Sequence, residues 1–172
     1  MTAGARSGER RLAYVSLGAN LGERAAALRG ACAALAALPG TTLRASSRVY
    51  ETAPQDLADQ PAFLNQVVAL ETALGPAELL AAARRIEDEA GRARDVRFGP
   101  RTLDVDILLF QGVESDDPEL TLPHPRLWQR AFVLVPLAEV WSLACDMPRV
   151  DVAGLAAELA GRQDVKPYVA ED

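Results

Sequence analysis

Lysine, histidine and cysteine are nearly missing from this chain of 172 residues: Lys166 and His124 stand alone in their kinds, and the only thiols are Cys32 and Cys145. Two cysteines so far apart supply neither a disulfide framework nor a metal-ligand spacing, so both read as apolar core fillers. No apolar run approaches the roughly 20 residues that a membrane helix needs, and the opening MTAGARSGERR lacks the apolar stretch of a signal peptide. A cytoplasmic protein without membrane contact is expected. Positive charge is also short, since 18 basic against 24 acidic residues leave a net charge of −6, which argues against nucleic acid as a partner. All the basic residues but Lys166 are arginines, so arginine as a type carries no information here and only its placement does. What is present, 49% hydrophobic and 24% charged residues, describes one globular domain over 1–172 that can bury a proper core. Residues 1–11 and about 163–172 are expected to be loose ends.

The hydrophobic pattern gives the order of elements. LAYVSLG (12–18) reads as a strand that turns through GANLG into a helix from about Glu23 to Leu38, with Leu28, Cys32, Leu35 and Leu38 on its apolar side and Pro39-Gly40 as its stop. The glycines around Asn20 lack the spacing and the lysine of a P-loop, which leaves a tight strand-to-helix turn. TLRASSRVYET (42–52) and FLNQVVALETAL (63–74) read as strands, parted by a loop rich in Pro, Asp and Gln. Gly75-Pro76 opens a second helix in which Leu79, Leu80, Ala83, Ile86 and Ala90 recur at helical spacing until Gly91 caps it. TLDVDILLF (102–110) is a further strand. After an acidic turn around 114–119 come TLPH, a helical turn and AFVLVPL, the last read as a strand. The order β-α-β-β-α-β predicts a ferredoxin-like α+β fold, an antiparallel sheet with two helices on one face and an additional C-terminal strand and helices.

Within TLDVDILLF, alternation sends Leu103, Val105, Ile107 and Leu109 to the core and Asp104 and Asp106 to the other face, the two carboxylates about 6.6 Å apart along the strand. Carboxylates on a wet sheet face are often merely solvated. Just upstream, however, residues 92–101 carry Arg92, Arg94, Arg97 and Arg101 against the single acid Asp95, so these ten residues hold +3 and the remainder of the chain −9. Mg²⁺ takes oxygen ligands and completes its shell from water and substrate phosphates, while arginine forks match phosphate oxygens. This neighbourhood predicts a Mg-nucleotide polyphosphate site, with a solvated basic loop as the alternative. His124, held between Pro123 and Pro125, is either a structural turn residue or a donor to a phosphate oxygen.

RFGPRTLDVDIL (97–108), followed by LPHP and RAFVLVPL, resembles the 6-hydroxymethyl-7,8-dihydropterin pyrophosphokinase family of folate biosynthesis. SLGANLG (16–22), VYETAP (49–54), DQPAFLNQVVALET (59–72) and IEDEAGRAR (86–94) match in the same order, so the resemblance runs from Tyr14 to about Trp141. It implies transfer of the β,γ-pyrophosphoryl unit of ATP to the hydroxymethyl group of the dihydropterin, releasing AMP. ATP as co-substrate, two Mg²⁺ ions, small-molecule partners only and a monomer are expected with it. Asp104 and Asp106 match the metal-holding aspartates, Arg92 and Arg101 the arginines of a mobile catalytic loop, and Phe98 that loop's aromatic. Glu87, His124 and Arg130 match ATP-contacting positions. Phe63 and Phe132 match the aromatic pair that sandwiches the pterin, with Asn65 and the backbone around Thr52 reading its polar edge. Both phenylalanines are expected to open strands. Without the resemblance, Phe63 and Phe132 would read as ordinary core.

One departure concerns the pterin loop: between Pro54 and Asp59 the family commonly has a glycine, where this chain reads Gln55, Asp56, Leu57 and Ala58. Two other classes share the site as read from the residues. A plain γ-phosphoryl kinase or nucleotidyltransferase would use the same Mg²⁺ ligands, and a nucleotide-sensing module would bind ATP without turning it over. The nucleotide product separates them.

Overall fold

The computed structural model describes residues 8–53, 59–91, 102–141 and 148–170. The expectations that fall on Cys145, on Gln55–Ala58, and on Arg92, Phe98 and Arg101 lie outside these residues. In chain order the elements are β1 (Arg11–Ala19), α1 (Arg24–Ala36), β2 (Thr41–Ser46), β3 (Tyr50–Thr52), β4 (Phe63–Thr72), α2 (Pro76–Glu89), β5 (Asp104–Phe110), β6 (Ser115–Asp117), β7 (Leu120–Leu122), a single 3₁₀ turn (Leu127–Gln129), α3 (Ala131–Val140), α4 (Val152–Ala160) and β8 (Val165–Pro167).

The main sheet runs β5-β1-β4-β3-β8, with β2 also on β4, and every pairing in it is antiparallel. Central β1 is buried from Leu12 to Leu17. Its two faces are both covered, which is why it reads as a continuous apolar run rather than an alternation. On one face, Leu28, Ala31 and Leu35 of α1 and Leu79, Ala83 and Ile86 of α2 pack on Ala13, Val15, Leu17, Leu64, Val68, Leu70, Val105 and Ile107. On the other, Val133, Leu134, Leu137 and Val140 of α3 and Val152 and Ala156 of α4 pack on Leu12, Tyr14, Val67, Ala69, Leu108 and Leu109. The α+β sheet with two helices on one face is thus as expected, and the additional C-terminal helices form a third layer. Cys32 packs against the first core, where burial pushes its thiol pKa up and Sγ donates to Gln66 Oε1. Among the described residues no helix is long and apolar enough to cross a membrane.

Four expectations change. AFVLVPL is not a strand: Ala131–Val140 is helix α3, with Ala131, Val133, Leu134, Pro136, Leu137 and Val140 buried. The segment lies between the sheet and α4, so it is apolar almost all round, and periodicity cannot separate such a run from a buried strand. At its far end the carbonyl of Val140, left over by the helix, accepts the Tyr14 hydroxyl at 3.2 Å. The expected single strand over 42–52 is broken at Ser47–Val49. There Ser47 Oγ accepts the Val67 amide at 3.0 Å, and the Arg48 amide turns away to Glu139 of α3 at 2.7 Å.

Leu109 faces the α3 side, not the side of Ile107. Opposite β5, Val15 pairs with Ile107 and Tyr14 with Leu109, leaving Leu108 as an extra, bulged residue that resets the alternation. Finally, residues 163–170, expected as a loose end, supply β8, which pairs with β3 through Tyr50↔Pro167, Glu51↔Lys166 and Thr52↔Val165. The acidic turn around 114–119 is the β6–β7 hairpin.

Candidate active site

The α3-facing side of the sheet is two surfaces in one. Along β1 and β4 it begins with Leu12, Tyr14, Ala69 and Val67, covered by α3 and α4, and then continues past the helices as Ser16, Gly18, Asn65 and Phe63. Alternation puts Asp104 and Asp106 of β5 on the same side, with Asp106 opposite Ser16 and Asp104 opposite Gly18. One row across four strands therefore reads Asp104, Gly18, Asn65, Tyr50. Asp104 and Asn65 are two strand spacings apart, about 9.6 Å. Between them Gly18 has no side chain, and a Cβ built there would lie 3.2 Å from Asn65 Oδ1. The glycine forms the floor of a trough between a carboxylate wall and an amide wall.

The amide wall is fixed by its neighbours. Asn65, buried to 4% exposure, donates from Nδ2 to Thr52 Oγ1 at 2.8 Å. Tyr50 beside it donates its hydroxyl to Glu139 of α3, which also takes the Arg48 side chain. Phe63, half-buried, heads β4 opposite Thr52, so this phenylalanine does open a strand. The approach to Phe63 is held from the β1–α1 loop and the first residue of α1: Asn20 Nδ2 donates to the Pro61 carbonyl at 3.1 Å and to Gln60 Oε1 at 3.0 Å, and Arg24 donates to the Ala62 carbonyl at 2.8 Å while pairing with Glu51. Sequence reasoning took this loop as a simple turn and missed both residues; an asparagine between two glycines at a strand end was the available signal.

The carboxylate wall is built on an edge strand. Asp104 is half-buried and Asp106 exposed. Glu87 of α2, only 5% exposed, accepts the Val105 amide between them at 3.2 Å, so its carboxylate fixes the strand that carries the pair. Farther along the same strand the Leu108 carbonyl accepts the His124 amide at 2.9 Å. His124 Nδ1 accepts the Arg126 amide at 3.2 Å, which leaves the proton of the neutral ring on Nε2. Burial lowers the His124 pKa, and the charges of Arg130 and Arg126 lower it further, so near pH 7 the ring is a neutral donor.

Arg130 stands just before α3, and its guanidinium lies 5.3 Å from the centre of the Phe132 ring. Phe132 opens no strand; it is the second residue of α3, partly buried on the second core, because AFVLVPL is helical. Asp104, Asp106, Ser16, Gly18, Asn65, Thr52 and Phe63 share one sheet face, and the loop of His124 is tied to the aspartate strand at Leu108. No group of three or more metal-ligating side chains occurs among the described residues. A pair of hard carboxylate donors without histidine or thiolate suits Mg²⁺, which leaves the rest of its shell to water and phosphate oxygens.

A family model described as 7,8-dihydro-6-hydroxymethylpterin-pyrophosphokinase (HPPK) matches residues 14–142. The chain belongs to this HPPK family. It is similar to the 2-amino-4-hydroxy-6-hydroxymethyldihydropteridine pyrophosphokinase of Bacillus subtilis, 47% identical over 129 residues that cover 75% of this chain and 77% of the relative. The enzyme of the same name from Pseudomonas aeruginosa is 50% identical over 127 residues, 74% of this chain and 78% of the other. Among solved structures, wild-type Plasmodium falciparum HPPK-DHPS with pterin and p-hydroxybenzoate superposes with a TM-score of 0.67 at 15% identity, over 92% of this chain. The chain spans 44% of that longer one, and the likeness supports the HPPK fold.

Proposed function

We propose that the trough is the active site of a Mg²⁺-dependent reaction: this HPPK family member is an ATP-dependent pyrophosphokinase. It transfers the β,γ-pyrophosphoryl group of ATP to the hydroxymethyl group of 6-hydroxymethyl-7,8-dihydropterin, in folate biosynthesis. The observation that carries the reading is the single row in which a carboxylate pair and a buried amide flank a glycine floor. One wall suits a polyphosphate with its counter-cations and the other the acceptor-donor edge of a flat heterocycle.

In the step itself the substrate hydroxyl oxygen bonds to the β-phosphorus and the bond from that phosphorus to the bridging α-oxygen breaks. AMP leaves, and the hydroxyl proton passes to solvent. Asp104 and Asp106 would hold two Mg²⁺ ions, whose bound chemistry is to neutralise phosphate charge. Arg130 and the neutral Nε2–H of His124 donate to phosphate oxygens, and Glu87 keeps the aspartate strand in place at the nucleotide side. Asn65 and Thr52 read the pterin edge, and Phe63 and Phe132 take its two faces; no ring contact joins them among the described residues. Arg92 and Arg101 act on the developing charge and Phe98 adjoins the nucleotide, all three assigned on their match to the family's loop. Positioning and charge neutralisation suffice for phosphoryl chemistry of this kind without a strong general base.

The test is incubation of the protein with Mg-ATP and the hydroxymethyl-dihydropterin, resolving the nucleotide products. AMP in equal amount to the pyrophosphorylated pterin is expected. ADP would show a γ-phosphoryl kinase, pyrophosphate release a nucleotidyltransferase, and no turnover a binding module. The same preparation is expected to sediment as a monomer, and fractionation of the producing cells is expected to recover the protein with the cytoplasm.

A further inference from the structure

The described residues from 148 on lie beyond the stretch matched by the family, yet they touch the strand beside the amide wall and the start of α3. β8 pairs with β3 across Thr52, and the Tyr168 amide donates to the Val49 carbonyl at 2.9 Å. More pointed is Gln163, in the connection from α4 to β8. Its Oε1 accepts the amide of Ala131 at 2.8 Å, and its Nε2 donates to the carbonyl of Gln129 at 3.0 Å. The one residue enclosed between those two peptide groups is Arg130.

The start of α3 needs such a partner. Arg130 occupies the N-cap position with an extended backbone, φ −119° and ψ 113°, and makes no side-chain cap. Ala131 is 0% exposed, so its amide is one of the donors that a helix start leaves over and that water cannot reach. The cap arrives from 32 residues away in sequence. A primary amide suits this place because it accepts at one atom and donates at the other. A glutamate could keep only the first.

We propose that Gln163 is a positioning residue, which clasps the backbone on both sides of Arg130 so that its guanidinium is aimed at the nucleotide from a fixed base. The inference rests on the assignment of Arg130 to ATP made above. It gives the C-terminal segment a part in substrate binding that its sequence, outside the family match, does not announce.

The test compares the full-length protein with Gln163→Ala, Gln163→Glu, Arg130→Ala and the double variant Gln163→Ala with Arg130→Ala. The probe is a non-hydrolysable ATP analogue with Mg²⁺, titrated by calorimetry. Gln163→Ala is expected to weaken analogue binding about five- to tenfold, and to add nothing once Arg130 is already alanine, the signature of two residues acting as one unit. Gln163→Glu, which loses the donor half, falls between wild type and Gln163→Ala. Val152→Ala, in the α4 core and away from the clasp, serves as the control for loss of stability. If Val152→Ala weakens binding as much as Gln163→Ala at an equal drop in melting temperature, or if the two losses multiply in the double variant, the clasp is overturned. Because the readout is binding, it is independent of the reaction: a wild type that releases no AMP overturns the pyrophosphokinase reading, and unchanged analogue affinity in Gln163→Ala overturns this one.

Discussion

The two ends of one sheet face teach the main lesson of this fold. At the closed end, Leu12, Tyr14, Val67, Ala69, Leu108 and Leu109 lie under α3 and α4. At the open end the same strands present Asp104, Asp106, Ser16, Gly18 and Asn65. Along β1 and β4 backbone and register are continuous from one end to the other, and β5 passes between them through the Leu108 bulge, so the change of side chain along the strands decides which half is covered by helix and which is left open. Apolar area removed from water holds the first half; the second presents polar and charged side chains that helix burial would desolvate.

Substitutions at the two ends should therefore fail in opposite ways. Asp104→Asn or Asp106→Asn is expected to lower AMP release by roughly 10²-fold or more, the scale of losing one charge-stabilising group. Stability on that solvated edge should move by no more than about 0.5 kcal/mol. Steady-state rates at several Mg²⁺ concentrations and a thermal melt check both halves, and near-normal turnover at limiting Mg²⁺ would break the comparison. At the closed end Leu137→Ala should cost about 2–5 kcal/mol in denaturant unfolding while turnover per folded molecule is kept.

Phe63→Ala tests the pterin side of the open end. Losing the aromatic face with its buried area should weaken pterin affinity more than tenfold, with much less effect on ATP. If melting falls as it does for Leu137→Ala and affinity per folded molecule holds, Phe63 belongs with the core. A smaller effect is expected of Gly18→Ala, whose methyl group would crowd Asn65 Oδ1. Disturbing one amide hydrogen bond to the pterin should cost about 1 kcal/mol, near fivefold in titrated pterin affinity.

The smallest effect concerns pH. Burial and two arginines hold His124 below its ordinary value of 6.5, so in the unfolded chain it takes up a proton at a higher pH than in the fold. The unfolded state then binds more protons and stability rises with pH. This contribution is complete above about 6.5 and is lost as pH falls through the lowered folded value. Replacing the ring, His124→Gln, should flatten the melting temperature against pH in that interval; an unchanged slope would mean that the ring is not held neutral.

The sequence made the central elements legible because α1 and α2 repeat their apolar positions at helical spacing, while β1, β4 and β5 are short apolar runs bounded by turn or loop residues. β1, α1, β4, α2 and β5 lie where the pattern puts them, within two residues at most ends. α3 was not legible, since a segment apolar on all sides carries no period. Nor was the break at Ser47, where a side-chain oxygen replaces a strand partner, or the bulge at Leu108, which changes faces without changing composition. At the site, the aspartates are visible in the sequence because alternation alone isolates them. Asn20, Arg24 and Gln163 are not, because their partners stand between 27 and 41 positions away and no local rule connects them. Glu87 was marked only by the family resemblance, and its bond to the Val105 amide could be seen only once α2 lay against β5.

The bulge in β5 has a further consequence when it is considered as an insertion. Leu108 is the residue whose removal would leave every other pair of the ladder as it stands, with Ile107 on Val15 and Leu109 on Tyr14 as immediate neighbours. Both aspartates would keep their face, and so would Leu109 and Phe110. What such a deletion would take away, besides one apolar side chain, is the carbonyl that receives the His124 amide. The sheet could close without that residue; the loop that carries the chain's single imidazole would lose the backbone bond that ties it to the sheet.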